Sequence, residues 1–97
     1  MKLRFTPRAT QDITEIAAYL RARNPAASAR VRDSILDAMQ TLVLFPQTGR
    51  PQALEGVRKF VTRQYRYLVY YTVDAGADEI VILTIQHPAR EREIADR

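Results

Sequence analysis

The sequence predicts an α+β fold: an N-terminal strand, a helical hairpin, then a three-strand antiparallel meander packed against the helices. Three observations carry this. Two stretches between residues 7 and 44 repeat apolar residues at helical spacing, each opened by a cap-and-proline pair, Thr6-Pro7 and Asn24-Pro25. Two runs rich in aromatic and β-branched residues flank Asp74-Ala-Gly-Ala-Asp78, as in a strand hairpin. A length of 97 residues with a 46% apolar fraction fits one ordered domain spanning 1–97, with a modest core.

Lys2-Leu3-Arg4-Phe5 alternates polar and apolar residues, which places Leu3 and Phe5 on one face of a short strand. Thr6 then serves as N-cap and Pro7 as N1, where the missing N–H costs nothing. Ile13, Ile16, Ala17 and Leu20 follow as one helical stripe, and Asn24-Pro25 ends that helix by Arg23 while starting the next. Val31, Ile35, Ala38, Met39 and Leu42 form the buried stripe of the second helix, which Pro46 stops after about Leu44. Two helices joined so closely form an antiparallel hairpin, and each stripe needs a third surface to cover it.

That surface is expected to be a sheet. Residues 46–56 read as a connector rich in breakers, followed by a strand over 57–62 whose mixed faces suit an edge position. In the next strand Tyr65, Tyr67, Val69, Tyr71 and Val73 share one face, opposite Arg66, Leu68, Tyr70 and Thr72. In the last, Val81, Leu83 and Ile85 oppose Ile80, Ile82 and Thr84; apolar on both sides, it belongs in the middle of the sheet.

Fifteen Lys and Arg against eleven Asp and Glu give a net charge of +4, and thirteen of the fifteen are Arg. The excess favours acidic proteins or nucleic acid, and the guanidinium fork favours defined carboxylate or phosphate contacts. Without cysteine there is no disulfide, thiolate nucleophile or soft metal site, and a single His makes an all-protein zinc site unexpected. Neither an apolar leader nor a stretch of roughly 20 apolar residues is present, so a soluble cytoplasmic protein is expected.

Arg58, Lys59, Arg63 and Arg66 bring four positive charges into nine positions, and the hairpin is expected to keep Arg58 and Arg66 close. Such a group could hold a phosphate backbone or the acidic segment of a partner; equally, it could solvate a sheet edge. His87 and Arg90 follow the last strand, where a histidine could move protons and an arginine could stabilise phosphate; a binding role or a structural cap fits as well. The strand tyrosines could stack bases or line an interface, or pack on the helices with their hydroxyls at the rim. Glu55, the acid beside the basic group, could act as a general base. Arg90-Glu91-Arg92-Glu93 reads as an ion-pair run on a short terminal helix. No glycine-rich phosphate loop, catalytic carboxylate pair or hydrolase nucleophile motif is present, and no cofactor is expected.

In order and spacing, Phe5-Thr-Pro-Arg-Ala9 with Asp12, the two-helix segment, Pro46-Gln-Thr-Gly49, Gly56-Val-Arg58, Tyr65-Arg66 with Val69-Tyr70, and Ile80-Val-Ile-Leu83 ending at His87 and Arg90 resemble the RelE/ParE superfamily of small toxins from bacterial toxin–antitoxin pairs. The connector and strand wording look more like the ParE branch. That resemblance implies a non-enzymatic inhibitor of DNA gyrase, neutralised by a cognate antitoxin that wraps an amphipathic segment around the helices or sheet. Arg58, Lys59, Arg63, Arg66, His87 and Arg90 are then the contacts for target or antitoxin, with no catalytic residue. The RelE branch implies instead a ribosome-dependent messenger RNA endonuclease, in which Arg66, His87 and Arg90 would take part. Residues 57–61 lack that branch's alternating lysine pair and residues 93–97 lack its tyrosine. A non-catalytic protein-interaction module is the third alternative.

Overall fold

The computed structural model describes residues 1–88. Its elements are β1 (Lys2–Phe5), α1 (Pro7–Arg23), α2 (Pro25–Leu44), β2 (Arg50–Pro51), β3 (Arg58–Val61), β4 (Leu68–Asp74) and β5 (Glu79–Gln86). They form one five-stranded sheet in the order β1-β5-β4-β3-β2, with the helical hairpin on one face. The expected meander is β3–β4–β5, antiparallel throughout, and β1 joins it parallel to β5.

Both helices start where the cap-and-proline pairs place them. The Thr6 hydroxyl accepts from Ala9 N at 3.0 Å, and the Asn24 side chain accepts from Ala27 N at 3.1 Å. Asn24 also donates its own backbone N–H to Leu20 O, so one residue closes α1 and opens α2. The α2 stripe is buried as expected, whereas Ile13, Ile16 and Leu20 of α1 are only half-buried against the core. The centre of that core is Tyr71, Leu42, Ile80, Ile82, Ile85, Val31 and Val69; a smaller cluster of Val57, Leu68 and Tyr70 with Leu83 lies apart from it.

Three local features depart from the pattern reading. Within the connector, Arg50 and Pro51 pair with Lys59 and Arg58 as the edge strand β2, where a proline costs no ladder bond; Gly56 at φ 80° turns the chain back. The fourth strand begins at Leu68 rather than Tyr65, because Tyr65 and Arg66 are left-handed, at φ 66° and 53°. Composition gives no warning of that conformation at two large residues. Finally, the register between β4 and β5 jumps from Tyr70–Thr84 to Tyr71–Ile82, leaving Leu83 as an extra residue. The bulge moves Ile85 into the helix-facing set with Ile80 and Ile82, away from the strict alternation expected.

Candidate functional site

Strand register separates the basic residues that lie close together in sequence. Arg58 pairs with Tyr71 and Lys59 with Tyr70, whereas Arg63 and Arg66 lie beyond Val61–Leu68, in the turn at the far end of β3. Three residue steps of strand, roughly 10 Å, thus divide Arg58 from the start of that turn, and the expected closeness of Arg58 and Arg66 does not hold. Glu55 precedes β3 and stays at the Arg58 end. His87 lies at the other end, because Gln86 pairs with Leu68. Arg90 and the charged run 90–93 lie outside the described residues.

Arg58 is anchored by backbone. Its Nη1 donates to Gln47 O at 3.0 Å and Gly49 O at 2.7 Å. The Tyr71 hydroxyl holds the same connector, donating to Pro46 O and accepting from Gly49 N, both at 2.8 Å. Burial pushes the Tyr71 phenol up, opposed by the Gly49 hydrogen bond and the nearby Arg58 charge. The Pro46-Gln-Thr-Gly49 wording is therefore the signature of a strap over Tyr71. Lys59 is half-buried.

The turn over residues 62–67 is built differently. Thr62 N donates to Tyr67 O, Tyr67 N donates to the Thr62 hydroxyl, and that hydroxyl donates to Gln64 O. From α2, Ser34 Oγ donates to Gln64 O at 3.2 Å and Arg30 Nε to the Tyr65 hydroxyl at 2.8 Å. Arg63 and Arg66 project from this braced backbone, exposed and without an ion pair among the described residues.

Beside the turn, a cleft of about 440 Å³ opens between α1 and the end of β5, lined by Arg8, Asp12, Glu15, Ile16, Tyr19, Tyr67, Ile85, Gln86 and His87. The His87 ring meets Tyr67 edge-on, with centroids 5.7 Å apart and planes at 88°. Burial raises the Tyr67 phenol above its ordinary value of 10.0, and the neighbouring Tyr19 adds to the rise. Asp12 is buried at the cleft's inner edge, where its carboxylate accepts from Thr84 Oγ1 at 2.5 Å, Ile85 N at 3.0 Å and Arg8 Nε at 3.1 Å. It stitches α1 to the strand just past the bulge. The sequence reading gave neither Asp12 nor Gln86 a site role. Asp12 had a signal, for it lies three residues after Ala9 and four before Ile16, a charged residue on an apolar stripe.

Residues 3–92 match the family model described as the ParE toxin of the type II toxin–antitoxin system parDE. The chain belongs to the ParE toxin family. Y4kP of Sinorhizobium fredii is 33% identical over 86 residues, covering 89% of this chain and 86% of that protein. Among solved structures, the chromosomal ParDE system of P. aeruginosa superposes with a TM-score of 0.76 at 24% identity, over 90% of this chain and 95% of that one. The RelBE2 toxin–antitoxin complex of Mycobacterium tuberculosis follows at 0.60 and 26%, over 89% and 95%. The ParE fold thus extends over the strap, the cationic turn and most of the cleft. No helix among the described residues is long and apolar enough to cross a membrane, and no group of three or more His, Asp or Glu side chains there is arranged to hold a metal ion.

Proposed function

We propose that this protein is the toxin of a type II toxin–antitoxin pair, that it acts in the cytoplasm by binding DNA gyrase without catalysis, and that a cognate antitoxin neutralises it. The observation that carries this reading is the braced turn 62–67. It offers Arg63 and Arg66 outward on a backbone fixed by its own Thr62–Tyr67 hydrogen bonds and from α2, a pre-organised contact for carboxylate or phosphate. Glu55, the candidate base, lies at the opposite end of β3 from those arginines and from His87. Family membership supports the choice of gyrase. The antitoxin gains affinity by covering apolar surface and pairing charge with a basic chain.

Induced expression followed by parallel measurement of DNA and protein synthesis tests this. Early loss of DNA synthesis, with inhibited supercoiling or trapped DNA breaks by purified gyrase, is the expected result. Joint replacement of Arg63 and Arg66 by Ala weakens inhibition by about tenfold or more if the turn is the contact. A second reading rests on one observation: Arg66 and His87 lie at the same end of the sheet, as a ribosome-dependent ribonuclease would need. Immediate translation arrest with cleaved message, abolished by His87→Ala, would establish that reading and remove the first.

A further inference from the structure

The positive charge of this chain is concentrated at one end. Residues 21–32 and 63–66 hold six of the thirteen arginines and no acidic group, while the other residues carry nine Lys and Arg against all eleven Asp and Glu. The fold brings these two stretches together as the corner of the helical hairpin and the braced turn, and Arg30 Nε donates across them to the Tyr65 hydroxyl at 2.8 Å. The acids nearest in sequence offset little of the excess. Asp33 pairs with Arg32 at 3.5 Å, Glu15 lies two turns of α1 back from Arg23, and Asp37 lies one turn of α2 beyond Ser34.

Aromatic rings are interleaved with these charges. Tyr19 and Tyr65 are the two most exposed tyrosines, at 57% and 40%. The Arg23 guanidinium lies 4.0 Å from the Tyr19 ring centroid, and Arg30 holds Tyr65 by its hydroxyl. Tyr67 links the two, since it follows Tyr65 by two residues and lines the cleft beside Tyr19. Tyr65 and Arg66 also keep left-handed backbone, which costs free energy at large side chains and so marks a turn shaped for something other than stability.

Guanidinium forks take phosphate oxygens, and exposed rings take bases, which a single strand presents and a duplex hides. An acidic peptide would engage the charges and leave the rings unused. We infer that the end formed by the helical corner and the 62–67 turn binds single-stranded DNA, with Arg23, Arg30, Arg63 and Arg66 on phosphates and Tyr19 and Tyr65 against bases. The choice of DNA over RNA rests on the gyrase reading; the surface itself does not.

The test is fluorescence anisotropy of a labelled mixed-sequence DNA strand of about twelve nucleotides, titrated with the full chain in the absence of gyrase. Saturable binding is expected, weakening about fiftyfold between 50 and 200 mM salt if four guanidiniums each neutralise a phosphate. Arg63→Ala and Arg66→Ala each lower the log–log salt slope by about 0.7. Tyr65→Leu weakens binding about fivefold or more, whereas Tyr65→Phe, which keeps the ring, stays within about twofold. Circular dichroism melts check that each variant folds; should Tyr65→Leu not fold, Tyr19→Leu at the more exposed position gives the same readout.

Four results would overturn this assignment: binding that ignores salt, tyrosine-to-leucine variants that bind like the parent, equal or tighter binding of the same sequence as a duplex, and tighter binding of the RNA strand. Displacement of the strand by polyglutamate at equal charge concentration gives this end to an acidic protein instead. The gyrase reading fails separately. A chain that inhibits purified gyrase without binding the strand loses only the DNA site, and one that binds the strand without inhibiting gyrase loses only the gyrase reading.

Discussion

Gly49 has no room for a side chain: a Cβ there would lie 2.5 Å from the Tyr71 hydroxyl oxygen and 2.7 and 2.9 Å from the adjoining ring carbons. Gly49→Ala should therefore destabilise the protein by about 2 kcal/mol, as overpacking of a fixed ring does. Tyr71→Phe in the same chain should relieve only part of that, since ring carbons still clash; a double-mutant cycle by urea unfolding measures the coupling. Asp12→Ala should cost about 3 kcal/mol, because it strands the Ile85 N–H and the Thr84 hydroxyl in a buried place. Tyr67 and Tyr71, with phenols raised above 10.0, bind their protons more tightly folded than unfolded. Their contribution is therefore intact below pH 10 and is lost as pH climbs through the raised values. Urea midpoints at pH 8, 10 and 11 should show the fall beginning only above 10, less steeply in Tyr71→Phe. At this scale sequence reading saw charge but not its use: Arg58 looked like a surface cation, and only the path of the connector shows its carbonyl partners.

Element boundaries were most legible where chemistry is local. Thr6-Pro7 and Asn24-Pro25 each carry the cap and the pre-set φ within two residues, and both helices begin there. The start of β4 and the bulge at Leu83 were not legible, because the first depends on left-handed backbone at large residues and the second on register against another strand. The 62–67 turn yields a prediction that separates backbone from side chain. Arg66→Gly removes the left-handed penalty and should stabilise the protein by up to about 1 kcal/mol, whereas Arg66→Ala keeps the penalty and should not. Both variants lose the guanidinium, so both should lose toxicity together if Arg66 contacts the target. Toxicity retained in the glycine variant alone would make the turn's shape, not its charge, the active feature.

For the molecule as a whole, the sheet closes around β5, which β1 flanks on one side and β4 on the other. Deleting residues 2–5 would leave β5 as a long apolar edge, and the expected outcome is aggregation or loss of cooperative unfolding, read by size-exclusion chromatography and circular dichroism. The order of elements and the interior place of β5, second in the sheet rather than at its middle, which β4 takes, were readable from periodicity and from its two apolar faces. The ends of the sheet were not, because which loops meet there depends on strand order: the sequence cluster of four cations separates, while the distant Asp12, Tyr67 and Gln86 converge on one cleft.

The pairing of Lys2 through Phe5 with Glu79 through Ile82 also sets a clock. Of the described strands β1 is made first, and it must wait, unpaired, for β5. The helices and the 62–67 turn can form meanwhile, but the cleft needs Ile85, Gln86 and His87, which are made after the other strands. A chain cut short before about residue 79 lacks the strand that β1 pairs with and the inner wall of the cleft, so an incompletely synthesised copy leaves β1 without its neighbour.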